Sequence, residues 1–125
     1  MKSGQHINFI VIKKQSDSLH SLIADGQYRA SSLGHDTWKS LLGSQGSLQA
    51  NFNKEGFNVM CGASSTSARI GVISNNENDC GDCDSKIGFG IGGHPYESNM
   101  CGNAAKHAAD NGDKTIRSMG YILVQ

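Results

Sequence analysis

Proline and tryptophan each occur once in 125 residues, and charged residues make up only 18%. With a single proline, turns must come from other residues, and 16 glycines among many Ser and Asn supply them. That composition favours short strands joined by tight turns. No run of 18 apolar residues occurs, which argues against a membrane-spanning helix. Basic and acidic residues balance at 11 each and are scattered, so the positive stripe expected of a nucleic-acid binder is missing. The five histidines never fall at HxH or HxxxH spacing. No GxSxG elbow, phosphate-cradling glycine loop or recognisable pair of catalytic carboxylates is present. These absences point away from an enzyme. The length suits one domain over residues 1–125, with a single core.

What the chain does contain is concentrated in its second half. From Asn75 to Asp84, four acidic residues, three Asn and two Cys fall together without a basic residue. Such a loop repels itself unless a cation or a covalent bond holds it. Ca²⁺ takes roughly six to eight oxygen ligands, and Asn76, Asn78, Asp79, Asp82 and Asp84 are the candidate donors. The loop is not an EF-hand, because Cys80 and Ile87 fall where oxygen ligands are required. The four cysteines, Cys61, Cys80, Cys83 and Cys101, fit two disulfides in an oxidising compartment, with the connectivity open. One CxxC knuckle alone is a weak zinc signal. Met1-Lys2-Ser3-Gly4 leads into a strand-like run and not into a signal peptide, so the chain is either cytosolic or a mature form with an added initiator Met, and the even cysteine count favours the extracellular or secreted form.

Strand-like alternation appears at residues 6–12, 27–32, 56–61, 68–74, 86–91 and 115–124. In the fifth run, Gly88 and Gly90 leave one face flat, which lets another backbone, or a ligand, approach closely. Two short helical turns are expected at Ser18–Gly26 and Asp36–Gly43, each stopped by glycine, and a third at Asn103–Ala109. The reading is all-β, an antiparallel β-sandwich or jelly roll with one or two short helical turns. Its first and last strands would be neighbours.

Two polar loops carry aromatics. His35, Asp36 and Trp38 form one group, and His94, Tyr96 and Asn99 another. An aromatic ring can stack on the C–H face of a sugar while carboxylate, Asn and His groups take its hydroxyls. A lone Trp is otherwise a core residue. Met100-Cys101-Gly102-Asn103-Ala104 resembles, over about four residues, the Cys-Gly-Asn-Gly/Ala element of the diaminopimelate epimerase and proline racemase families. There the thiol sits at a helix N-terminus, in enzymes that use two Cys across two domains. The expected function is an extracellular carbohydrate-binding, lectin-like module that binds glycans or glycoproteins. It would use Ca²⁺ and a disulfide-held loop, and oligomerise for avidity. The alternative is a structural or matrix module that binds protein, with an exposed apolar patch.

Overall fold

A computed structural model describes residues 1–3, 6–62, 65–95 and 100–124. The order is β1 (Lys2–Ser3), β2 (His6–Ile7), α1 (Leu19–Ile23), β3 (Arg29–Ala30) and α2 (His35–Lys39), which runs on into a 3₁₀ turn (Ser40–Gln45). β4 (Asn51–Met60), β5 (Ser67–Asn75), β6 (Ser85–Gly92), β7 (Met100–Ala105) and β8 (Lys114–Arg117) follow. β3 to β8 form one antiparallel sheet in sequence order, and β1 and β2 form a small ribbon. The mostly β, antiparallel expectation with two short helices is met. Among the described residues there is one large sheet and no second sheet of comparable size facing it.

That sheet folds back on itself. A straight strand of eight residues spans roughly 26 Å. Yet Asp84, just before β6, lies 2.6 Å from His94, just after it. The Lys86 ammonium, near the start of β6, likewise donates to the carbonyls of Gly92 and Gly93 at its far end. β4 bends the same way, with Lys54 Nζ reaching the Met60 carbonyl at 3.1 Å. The cause is a row of glycines. Gly56 pairs with Gly71, Gly71 with Gly88, and Gly88 with Gly102, which places one glycine on each of four adjacent strands. With no side chains along that line, the sheet can crease. A Cβ at Gly88 would sit 2.2 Å from the Ile70 carbonyl oxygen. The flat face expected at Gly88 therefore admits a neighbouring strand's backbone.

The main core lies on one face of the sheet. Phe57, Ile70, Val72 and Ile87 pack there with Trp38, Leu41, Leu42, Leu48 and Leu22 from the helical segments. Ile73, next along β5 from Val72, points the other way and forms a second cluster with Val59, Cys61 and Cys83. Ala68, Ile91, Met100 and Ala104 make a third. The Ser18 hydroxyl caps α1 by accepting from Ser21 N at 3.1 Å. Gly34, not Asp36, is the N-cap residue of α2.

Three expectations are corrected. The first and last strand-like runs do not pair with each other among the described residues, since β2 pairs with β1 and β8 with β7. Beyond Ile7 the chain lies over the core on one side only, with Ile10 and Ile12 inward and Ile7, Phe9 and Val11 in solvent. The helix expected from Asn103 is instead the end of β7. Its small residues suit a buried position in the sheet, where the Asn103 amide bonds Ser47 and the Lys86 carbonyl. Cys101 thus sits within a strand, and no helix dipole acts on its thiol.

Candidate functional site

The two ends of β6 and the loop after β7 meet at one edge of the creased sheet. Ser85 pairs with Ala105, so antiparallel register sets Asp84 beside Lys106 and His107. The Lys106 N–H donates to the Asp84 carbonyl at 3.0 Å. The crease then brings His94 back to the same point. One donor atom from each of Asp84, His94 and His107 lies within 4.8 Å of the others. Asp84 is buried, His94 half-buried and His107 exposed, so the group opens to solvent on one side. The His94 and His107 rings lie near-parallel, 6.3 Å apart at their centroids.

The backbone beneath these three residues is held from several directions. Asp84 N donates to the Gln49 side-chain oxygen at 2.9 Å, and Gln49 Nε2 donates to the His107 carbonyl at 3.1 Å. Asn76 Nδ2 donates to the same carbonyl at 2.6 Å. The Thr66 hydroxyl bonds the His94 carbonyl at 2.7 Å, and Lys86 Nζ reaches that carbonyl at 3.1 Å. A charge-assisted donor of this kind is stronger than a neutral one. Gln49 also accepts, through its own carbonyl, from His35 Nε2 at 3.2 Å. His35, Asp84 and His107 therefore share one network, centred on Gln49, and His94 adjoins it at Asp84.

The other residues expected in a site are dispersed. Trp38 is fully buried in the core and donates its indole N–H to Glu55, so it cannot offer a stacking face. Asp36 is exposed and holds His35 Nδ1 at 3.1 Å. Tyr96 and Asn99 lie outside the described residues. In the acidic loop, Asp79 Oδ1 accepts from Gly81 N at 2.9 Å and, with the Asp79 carbonyl, from the Asn75 amide. This carboxylate caps its own turn. Asn76, Asn78 and Asp82 are exposed, and Asp84 is turned to the histidines. Among the described residues, two groups of three or more His, Cys or carboxylate donors converge, and neither contains Asp79 or Asp82.

The second such group is Cys61, Cys80 and Cys83. Cys61 and Cys83 form a disulfide across 22 residues of chain, whereas Cys80 and Cys101 are free. Of the two bridges expected, one is made. Cys101 packs with the main core on the helical face, while Cys61, Cys80 and Cys83 cluster in the crease, so the sheet separates it from them. Closing a loop of this length removes about 3 kcal/mol of unfolded-state entropy. Reducing the protein is expected to lower its stability by that amount, read as the urea midpoint with and without dithiothreitol. An unchanged midpoint would mean that the bridge holds nothing.

Asp110 ties the helical layer to this edge. Burial raises its pKa, but Lys39 Nζ at 2.9 Å, the Leu48 N–H and the nearby His35 outweigh burial and leave it below the usual carboxylate value. His107 and Gln49 were not legible as site residues, because their roles depend on strand register and on the crease. Compared with protein-family models, with curated proteins and with solved structures, the chain matches none.

Proposed function

We propose that the chain is a non-enzymatic extracellular interaction module that binds protein through exposed apolar surface. The observation that carries this reading is the pair of apolar strips left in solvent. Ile7, Phe9 and Val11 form one, with Phe9 81% exposed, and Met119, Tyr121, Leu123 and Val124 form the other, with Leu123 90% exposed. Exposed apolar surface of that extent marks interaction sites. The partner to test first is a second copy of the chain, since a formal charge of zero sets up no repulsion between copies. β8 is the last strand of the sheet among the described residues, and its Lys114 and Arg117 disfavour strand addition there. The Cys61–Cys83 bridge fits an oxidising, extracellular setting. No helix among the described residues is long and apolar enough to cross a membrane.

The lectin reading stands second. It is favoured by the exposed Asn76, Asn78 and Asp82 beside the His94 edge, a neutral polar surface suited to hydroxylated ligands, with Ca²⁺ on those oxygens as its cofactor. Of the two aromatics expected as its stacking platform, Trp38 is core and Tyr96 lies outside the described residues. Sedimentation equilibrium on the wild type and on a Phe9→Ser, Leu123→Ser double variant separates the two readings. Concentration-dependent mass that the variant loses, at unchanged thermal stability, supports the apolar surface. A monomer at every concentration that binds a monosaccharide in Ca²⁺ overturns it in favour of the lectin.

A further inference from the structure

The geometry points to a divalent-metal site of the zinc type formed by Asp84, His94 and His107. Three observations carry it. The first is convergence: one carboxylate oxygen and two imidazole nitrogens from three separate loops meet within 4.8 Å. The second is the relation of His94 to Asp84. His94 Nε2 lies 2.6 Å from Asp84 Oδ1, yet it is a buried atom that makes no hydrogen bond. The nitrogen thus meets a carboxylate at ion-pair distance without a hydrogen-bond partner of its own. Two ligands at about 2.0–2.1 Å from a tetrahedral ion lie about 3.3 Å apart, so a small outward shift of the His94 ring would admit the ion between them. The third is positioning. The backbone at each residue is fixed by Gln49, Asn76, Thr66 or Lys86, which act on the ligands in the way that outer contacts orient the ligands of metal sites.

The donor set selects the ion. Ca²⁺ takes oxygen ligands, and two imidazoles with one carboxylate are a poor match to it. Two nitrogens and one oxygen suit Zn²⁺ and its neighbours Co²⁺, Ni²⁺ and Cu²⁺, with a position left for water on the exposed His107 side. The site joins the start of β6, its end and the loop after β7, so a bound ion would staple the crease shut. This holds whether the module binds protein or sugar. The histidines are 13 residues apart in the chain, and neither lies at a spacing that signals metal.

Zn²⁺ binding to the EDTA-treated, disulfide-intact chain, followed by calorimetry and by the visible spectrum of the Co²⁺ form, tests the site. The expected result is one equivalent bound, a raised melting midpoint, and a Co²⁺ spectrum without thiolate charge transfer. His107→Asn is the decisive variant. His107 is exposed at φ +56°, a conformation Asn also tolerates, so the fold should persist. It should weaken binding about 100-fold, as should His94→Gln, while Cys80→Ser should leave binding unchanged. Absence of stoichiometric uptake overturns the inference. So does uptake that survives His107→Asn and is lost in Cys80→Ser, which would place the ion on the thiols.

Discussion

Gly88→Ala is expected to cost about 4 kcal/mol of folding stability. Gly88 sits in the middle of the glycine row, between β5 and β7, with φ at +153°. Its added Cβ would lie 2.2 Å from Ile70 O and 2.6 Å from Gly71 Cα. Both are backbone atoms of a strand paired on each side, so neither can swing away as a side chain would. Two costs add: a strained backbone conformation of about 1–3 kcal/mol and forced displacement of packed neighbours of about the same size. Whole-domain stability is typically about 5–15 kcal/mol, so the loss is a large share of it. Gly26→Ala is the control. It too has positive φ, at +73°, but nothing lies within 4 Å of its Cβ, so only about 1 kcal/mol is expected. Urea unfolding of the two variants checks the difference. Equal losses would mean that the crease tolerates a side chain, and the close approach of the β6 ends would need another cause.

The crease explains which parts of the molecule could be read from the chain. Runs such as Ala68–Ser74 and Lys86–Ile91 alternate in the manner of half-buried strands and occupy β5 and β6. The helical turn after Ser18 was legible from the spacing of Leu19, Leu22 and Ile23 and from its Gly26 stop. Asn51–Glu55 was not read as strand, because its Asn and Lys residues carry little β-propensity. It is strand because Glu55 and Val72 pair across β4 and β5 over the main core. Met100–Ala105 reads as a helix entry through its alanines, but small residues are what a strand beside the crease requires. Glycines at 56, 71, 88 and 102 were visible one by one, yet their alignment exists only once register is known.

The same limit governed the site. Asp84, His35 and His94 stood out as polar residues in informative loops. The structure ties His35 to Asp84 through Gln49 and brings Asp84 and His94 into contact. His107 carries no local signal. Its partnership with Asp84 follows from the pairing of Ser85 with Ala105, and with His94 from the fold of β6. Trp38 was open to two readings, and packing decided between them, since Glu55 gives its indole N–H an acceptor inside the core.

That pairing yields the second large effect, at Glu55→Ala. The Glu55 carboxylate is buried and accepts from Trp38 Nε1, from Gly34 N at 2.8 Å and from Ser31 Oγ at 2.9 Å. It joins α2, the segment before it and β4 at one point. Truncation leaves the buried Trp38 N–H without an acceptor, at about 1–3 kcal/mol, and removes the bonds from the part-buried Gly34 N–H and Ser31 hydroxyl, at about 1 kcal/mol each, so a total of about 3–5 kcal/mol is expected. Glu55→Gln keeps the volume but turns an amide NH₂ toward donors, and about 2 kcal/mol is expected. The wild type should also show a pH signature. Burial pushes the Glu55 pKa up, but the bonds from Trp38, Gly34, Ser31 and Leu33 together outweigh it and hold the pKa below the ordinary glutamate value. The folded protein therefore favours the ionised form more than the unfolded chain does. Its contribution is fully present above the unfolded pKa of about 4.3 and is lost as pH falls through the lower, folded value. Asp25, held low by Arg29, and Asp110 contribute in the same direction, so the Glu55 share is the difference between wild type and Glu55→Gln. Urea midpoints followed by fluorescence of the single tryptophan, from neutral pH down into the acid range, measure it. The two curves should converge as the acid limit is approached. A constant gap at every pH would show that Glu55 acts by shape alone and that its charge does not hold Trp38 in place.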